Sequence, residues 1–429
     1  MKIKISVSCL LIGASALSAD WPEFQGAGRQ NIWTETGVIE SFEAGDLTRK
    51  WSVPVAAGYS GPTVAEGAGY VMDRPDQSHE RIVCVDLETG ATQWIHSYDC
   101  VYGQVGYGYG PRGSVTISDG HAFAMGTMGN LHCLDAKTGA VIWAKELMAD
   151  YKVDLPIWGL TNSPLVEGDQ VIVQASAGSE GACVVALGRK TGAEKWRAFK
   201  DKGSYVSPIM IEQAGKRVLV AWTGERIAGM NAATGEVFWE VPTKPNKMPI
   251  NVPGPALNAD GTKMFLSVFY DGSRLLEIDQ TALKAKELWN RQGINERKTD
   301  ALHCMISPPF IRGENIYGID SYGQMRCLEM TKGDRVWEDL NATLPGRWST
   351  IFMVQNGKKT WMVNEQGELI LAKLTPQGYS EISRATIIKP TTELKQRKNG
   401  AVMWSPPAFA NRCVFVRNDR ELVCVSLAK

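Results

Sequence analysis

After residue 19 this chain has no uninterrupted apolar run long enough to span a bilayer. It also has no adjacent cysteines and no excess of either charge, with lysine plus arginine and aspartate plus glutamate both totalling 46. The missing apolar run excludes a helical membrane span in the body of the chain. The charge balance argues against a general nucleic-acid binder, which carries a basic surplus. Histidine is scarce, and His79, His96, His121, His132 and His303 show no spacing typical of zinc ligands, so no metal site is expected. A GxSxG nucleophile elbow and a phosphate-binding P-loop are both absent. The glycine-rich "GYGYGPRG" leads into a predicted strand, so it cannot cradle phosphate at a helix N-terminus.

The first twenty residues read "MKIKISVSCLLIGASALSAD". Lys2 and Lys4 precede an apolar run over 5–17, and small residues follow at 16–19. This pattern is that of a signal peptide over 1–19, cut near Ser18 or Ala19. Cys9 lacks the leucine-rich box of a lipoprotein, so the expected location is periplasmic or secreted, without a lipid anchor. Eight cysteines then remain, in a compartment that permits disulfides. Cys84, Cys133, Cys327 and Cys424 recur at one slot of a repeat, where a small buried hydrophobe is expected. In "RCVFVRNDRELVC" a two-residue turn at Asn418 and Asp419 would set Cys413 opposite Cys424, a candidate disulfide. Two buried thiols are the alternative.

What the chain has in abundance is glycine (43), tryptophan (14) and short apolar runs, which together suggest an all-β fold with many tight turns. A unit recurs: "CVDLETGATQW", "CLDAKTGAVIW", "ALGRKTGAEKW", "GMNAATGEVFW" and "CLEMTKGDRVW". Gly90, Gly139, Gly192, Gly235 and Gly333 each stand four residues before the tryptophan, and a sixth copy ending at Trp289 has lost the glycine. From Trp51 through Trp94, Trp143, Trp196, Trp239 and Trp289 to Trp337 the intervals are 43, 49, 53, 43, 50 and 48 residues. A period in the forties is the signature of a propeller. Each unit reads as strand, turn, strand, with glycine accepting positive φ and tryptophan packing between blades. Upstream of each lies a short strand introduced by small residues or proline, as in "SGPTV", "NSPLV" and "SPPAF". Eight such pieces predict an eight-bladed β-propeller of four-stranded blades over 46–429, after a lead-in over 20–45. Trp51 has no strands before it, and the last three strands have no tryptophan strand after them. The N-terminal strand is therefore expected to join the C-terminal blade and close the ring, which removes sheet edges. Blade seven has drifted furthest and carries no tryptophan in its outer strand.

The D-x-x-TG-x-x-x-W unit resembles the PQQ-type propeller repeat, named for the pyrroloquinoline-quinone dehydrogenases and shared with the assembly factor BamB. The "WP-x-x-x-G" start of the mature chain is similar to a lead-in common in a branch of secreted bacterial members. The resemblance covers nearly the whole mature chain and implies fold more strongly than function. It implies PQQ with calcium as a cofactor option, held by glutamate and asparagine or aspartate side chains beside a stacking tryptophan and a disulfide between adjacent cysteines. The adjacent cysteines are missing here. Asp150 and Asp154, the acids nearest a blade-connecting loop, read as solvated charges, so no catalytic residue is assigned.

In such a ring the loops from one blade's outermost strand to the next blade's innermost strand gather at one mouth of the channel. Tyr59, Tyr107, Tyr109, Arg112, Trp158, Tyr205, His303, Arg347, Trp348 and Trp404 all fall just before innermost strands. Aromatics with arginines are what binding hot spots are made of, though they could equally plug the channel. These loops also carry net positive charge, mostly from 389–400 and 199–205. A basic, aromatic face on a neutral chain fits a protein or cell-envelope partner, or a carbohydrate or anionic ligand. The expected activity is thus that of a non-catalytic, monomeric binding or scaffold propeller. The alternative is a PQQ- and calcium-dependent dehydrogenase of reduced size, with Trp158, Trp348 or Trp404 under the cofactor.

Overall fold

Strand pairing follows the repeat in the computed structural model, which describes residues 20–43, 45–176, 181–243, 245–395, 397 and 400–429. The expected signal peptide over 1–19, and Gln396, Lys398 and Asn399 of the basic loop, lie outside the described residues. Eight four-stranded antiparallel sheets form the blades. The first contains Thr63–Ala65, Ala68–Asp73, His79–Asp86 and Thr92–Asp99. Blades two to seven span 116–146, 165–198, 209–242, 256–291, 310–339 and 351–386. In the eighth, Ala408–Ala410, Cys413–Arg417 and Glu421–Ser426 are completed by Arg49–Pro54, with Trp51 opposite Cys424. Ring closure thus takes the form expected. The only α-helix among the described residues is the short Leu147–Tyr151, so Asp150, expected in a loop, sits on a single helical turn. No helix among those residues is long and apolar enough to cross a membrane.

The core is a circle of seams between adjacent blades. One apolar cluster joins Tyr70 and Cys84 of the first blade to Ala122 and Leu134 of the second, and the same arrangement recurs round the ring. Inner strands are therefore buried on both faces, whereas Thr92–Asp99, on the outside, alternates between exposed and half-buried residues.

The tryptophan, the glycine and the small slot form one device. Each tryptophan lies directly across from the slot residue of its own blade: Trp94 opposite Cys84, Trp143 opposite Cys133, Trp239 opposite Gly229, Trp337 opposite Cys327. A β-bulge follows immediately in each pair and turns the indole toward the next blade. The indole N–H then donates to a carbonyl there: Trp51 to Leu87, Trp94 to Ala136, Trp143 to Arg189, Trp196 to Ala232, Trp289 to Met330 and Trp337 to Thr375. Three residues beyond each of the first five acceptors stands the repeat glycine, whose absent Cβ would fall within 3.0 Å of that same indole. The glycine is required for close approach as well as for its positive φ. Where blade five lacks it, Trp239 donates instead to the Gln213 side chain. Blade seven, though drifted, still supplies the Thr375 carbonyl to Trp337.

The turn expected at Asn418 and Asp419 is corrected. Arg417 pairs with Leu422, so the loop is four residues long. The Asn418 side chain holds it by accepting the N–H groups of Arg420 and Glu421, both at 2.8 Å. This two-residue slip leaves every side chain on its expected face. Cys413 now faces Ser426, and Cys424 faces Phe415. Both cysteines are buried free thiols, diagonal neighbours sharing a hydrogen bond.

Candidate functional site

The two mouths of the channel are closed by different devices. At the mouth carrying the TG turns, the lead-in crosses the ring. Trp21 and Val64 exchange backbone hydrogen bonds, and Trp33 donates from its backbone to Gln355. Arg29 enters the channel and donates to the carbonyls of Ser163, Pro164 and Pro208 while paired with Glu23 at 2.6 Å. Phe24 is carried up from the same segment to the floor of a cavity.

At the opposite mouth the loop between blades one and two folds inward. Gly110, at φ +159°, passes so close to Ala57 that a Cβ would meet its carbonyl oxygen at 2.5 Å. This brings Pro111 against Tyr59 and Ser60, whose N–H groups donate to its carbonyl. Arg112 straps the loop from within, donating to the carbonyls of Gly106, Tyr107 and Gly110. It has no carboxylate partner among the described residues, and burial lowers its pKa below the usual arginine value. Tyr107, held at φ +54°, sets its ring edge-on to Trp348 at 5.6 Å, Trp404 at 5.9 Å and Trp158 at 6.4 Å. Trp348, at φ +67°, is the second non-glycine residue of this cluster in the left-handed region. Such strained positions persist only where their surroundings over-determine them.

Between floor and roof lies a cavity of about 140 Å³. Of the ten residues singled out in the sequence, Tyr59, Tyr107, Arg112, Trp158, Tyr205, Trp348 and Trp404 line it. Burial raises the Tyr59 and Tyr107 hydroxyl pKa values and takes Tyr205 to about 12, so all three stay protonated. Tyr109 stands on the rim, its hydroxyl donating to the Glu393 carbonyl. Arg347 lies behind the wall, 4.6 Å from the Trp348 ring and paired with Glu296 at 2.8 Å. His303 is not at the mouth. It is buried among backbone groups, with Nδ1 against the Phe269 carbonyl and Nε2 accepting the Gly293 N–H. Its backbone N–H is taken by Asp320, which fixes it beneath the surface.

Sequence reading missed Phe24, Val252, Met305, Ile306, Phe352 and the hydroxyls of Thr161, Ser163 and Ser207. The serines do carry a signal, since both precede the proline of an innermost strand. Their oxygens link the blades around the axis: Ser163 accepts from the Ser114 N–H at 2.9 Å and Ser207 from the Ser163 N–H at 2.8 Å. The basic character of the mouth is smaller than the count of charges implies. Arg347 is spent on Glu296, and buried Arg397 is spent on Glu365. Glu365 also fixes Trp404 by accepting its Nε1–H at 3.1 Å. Burial raises the Glu365 pKa, against the opposing pull of Arg397. Lys200, Lys202, Lys389 and Lys395 remain exposed around the rim.

A calcium-held quinone needs a set of carboxylate and amide oxygens. The described residues lining the cavity include no aspartate, glutamate, asparagine or glutamine, and the nearby Glu296 and Glu365 are committed to arginines. Among the described residues no group of three or more His, Cys, Asp or Glu is placed to hold a metal ion. The residues present do not fit that group, and no reaction step is derived through it.

The fold and site define an eight-bladed propeller with indole-sealed blade seams and an aromatic chamber beneath one mouth. By sequence, residues 78–339 match the family described as outer membrane protein assembly factor BamB, and the chain belongs to this family of PQQ-like propellers. A quinohemoprotein alcohol dehydrogenase of Comamonas testosteroni is 25% identical over a 220-residue alignment that covers 48% of this chain and 29% of that enzyme. The match thus spans less than a third of the curated relative. Among solved structures, BamB of Moraxella catarrhalis superposes with a TM-score of 0.59 at 17% identity, over 88% of this chain and 97% of its own. The Comamonas testosteroni dehydrogenase superposes with a TM-score of 0.64 at 14% identity, over 95% of this chain and 80% of its own. Both likenesses are of fold.

Proposed function

We propose that this protein is a non-catalytic periplasmic or secreted binding propeller that docks a protein partner of the cell envelope on its inter-blade loop face. One observation carries the reading: the distribution of exposed apolar side chains. Val101, Tyr109, Ile157, Ile294, Leu340 and Leu344 all stand on the loops around this mouth, with Val101 71% and Ile294 85% exposed. The other exposed large hydrophobes, apart from Ile32 of the lead-in, are scattered along outermost strands, as Ile95, Val141 and Leu288 are. A ring of apolar side chains interspersed with lysines, around a rigid aromatic centre, has the composition of a docking surface. Kinship with a family described as an assembly factor supports a protein partner. The leader pattern over 1–19 supports export.

The test is capture from an envelope extract by the immobilised mature protein. Ile157→Asp with Ile294→Asp is compared with a control pair on the outer strands, Ile95→Asp with Leu288→Asp. Capture falling at least tenfold in the loop pair alone is the expected result, because interface anchors cost more than ~1 kcal/mol each when replaced. Equal capture by both pairs would overturn the assignment of the face. Cell fractionation and sequencing of the mature N-terminus check the location, and light scattering checks the proposed monomer.

A further inference from the structure

The chamber beneath the loop face offers recognition chemistry of one kind. Two of its lining residues carry buried polar atoms without a hydrogen-bond partner among the described residues, the Tyr59 hydroxyl and the Trp348 indole Nε1. Both can donate. The Ser163 and Ser207 hydroxyls accept backbone N–H bonds and keep their own protons to give. The single charged lining residue is Arg112, a cation held by backbone carbonyls and paired with no carboxylate. Buried donors of this sort are normally satisfied, so a set of them around one chamber calls for an acceptor from outside. A chamber walled by tryptophan and tyrosine would otherwise suit an organic cation. Here arginines already lie against those faces, Arg347 at 4.6 Å from Trp348 and Arg112 at 5.2 Å from Tyr59. A cationic guest would meet like charge, whereas an anionic one would meet Arg112.

Size narrows the class further. About 140 Å³ is close to the roughly 150 Å³ of an apolar cavity that takes up one benzene ring. One aromatic ring with a short acidic arm fills that space, whereas a fused polycyclic acid does not. Trp158, Trp348 and Trp404 already hold the Tyr107 ring edge-on, so a guest ring lies against that cluster, on the apolar lining that Phe24, Met305 and Phe352 complete.

We infer that the chamber is a receptor site for one aromatic ring bearing a carboxylate, with the ring against the apolar wall that Tyr107 and the tryptophans form and the carboxylate at Tyr59, Trp348 and Arg112. That chemistry has two sources, a free small aromatic acid and the last residue of a protein chain. In the second case the site deepens the docking reading, because the chamber opens inside the proposed face.

The test uses the full mature protein and calorimetry with three probes: 3-phenylpropionate, its neutral amide 3-phenylpropanamide, and tetramethylammonium. The acid should bind at least tenfold more tightly than the amide, and tetramethylammonium should not bind. Tyr59→Phe, which removes one hydroxyl and no ring, should weaken the acid at least threefold while leaving the thermal midpoint in place. Arg112→Ala is unsuitable alone because Arg112 also straps its loop, and the probe series on the unaltered protein does not depend on it. Equal binding of acid and amide, preference for the cation, absence of binding, or an unchanged affinity in Tyr59→Phe would each overturn the inference. A short peptide ending in phenylalanine, with a free or an amidated terminus, separates the sources. Tighter binding of the free-terminus peptide than of 3-phenylpropionate assigns the site to a protein terminus, and binding of the small acid alone assigns it to a free acid. Failure here leaves the Ile157 and Ile294 capture result untouched, so the two readings fall separately.

Discussion

Replacing Gly139 with alanine would place a methyl group 2.7 Å from Cδ2 and Cε3 of Trp94 in the preceding blade, at a backbone φ of +73°. Replacing Gly120 imposes the same backbone conformation without the contact, since its φ is +71° and a Cβ there would meet nothing within 4 Å. The left-handed conformation alone costs an alanine ~1–2 kcal/mol. Overpacking a seam that cannot open adds ~1–3 kcal/mol. Gly120→Ala should therefore lose about 1–2 kcal/mol and Gly139→Ala about 2–5 kcal/mol. Their difference isolates the contact between glycine and tryptophan. Denaturant midpoints of both variants, followed by far-ultraviolet circular dichroism, give the comparison. Adding Trp94→Leu should remove the excess at Gly139 and leave Gly120→Ala unaffected, as expected when the coupled pair is in contact. Equal losses for Gly120→Ala and Gly139→Ala would refute the close-approach argument and leave the repeat glycine with a turn role only.

The pair His96 and His132, with ring centroids 4.9 Å apart between the first two blades, should make the fold acid-sensitive. Burial holds the His132 pKa down at about 4, against the usual imidazole value of 6.5. The folded state therefore binds fewer protons between those values, and stability present above pH 6.5 is lost as pH falls toward 4. The loss approaches ~3 kcal/mol at ~1.4 kcal/mol per unit, and it should shrink in His132→Leu when stability is followed from pH 7 to 4. Arg29→Ala leaves the buried side of Glu23 and three channel carbonyls without their donor. A drop of about 3 kcal/mol in unfolding free energy is expected, and a change below ~0.5 kcal/mol would show the plug to be dispensable. Thiol titration of the mature protein, unfolded without reductant, should count eight groups, whereas six would mean that Cys413 and Cys424 are bridged.

Much of the ring could be read in the chain because its determinants are local. Strand, turn and strand lie within some twenty residues of each other, and a repeat multiplies the signal, so even the drifted seventh blade was placed by its neighbours. Closure by Arg49–Pro54 was also legible, as the incomplete ends complement each other. The aromatic mouth could be read for the same reason, since every loop preceding an innermost strand must point one way. His303 fell outside the pattern because the Phe269 carbonyl and the Gly293 N–H, which draw it inward, are set by tertiary packing. The turn after Arg417 escaped because the Asn418 side chain, and not the count of intervening residues, chose its length.

By itself, then, the sequence determined the all-β class, the number of blades, the seam residues and the face on which aromatics collect. These depend on periodicity, and periodicity is a property of neighbours along the chain. Only the tertiary structure decided that each glycine serves the tryptophan of the blade before it, and that Glu296 and Glu365 consume the arginines of the mouth. It also decided that the lead-in seals the far end with Arg29, hydrogen-bonded to carbonyls 134, 135 and 179 residues away. The physical reason is the same in each case. A close approach, an ion pair or a plug is a meeting of groups far apart in sequence, and no local pattern records which distant partner a side chain will reach.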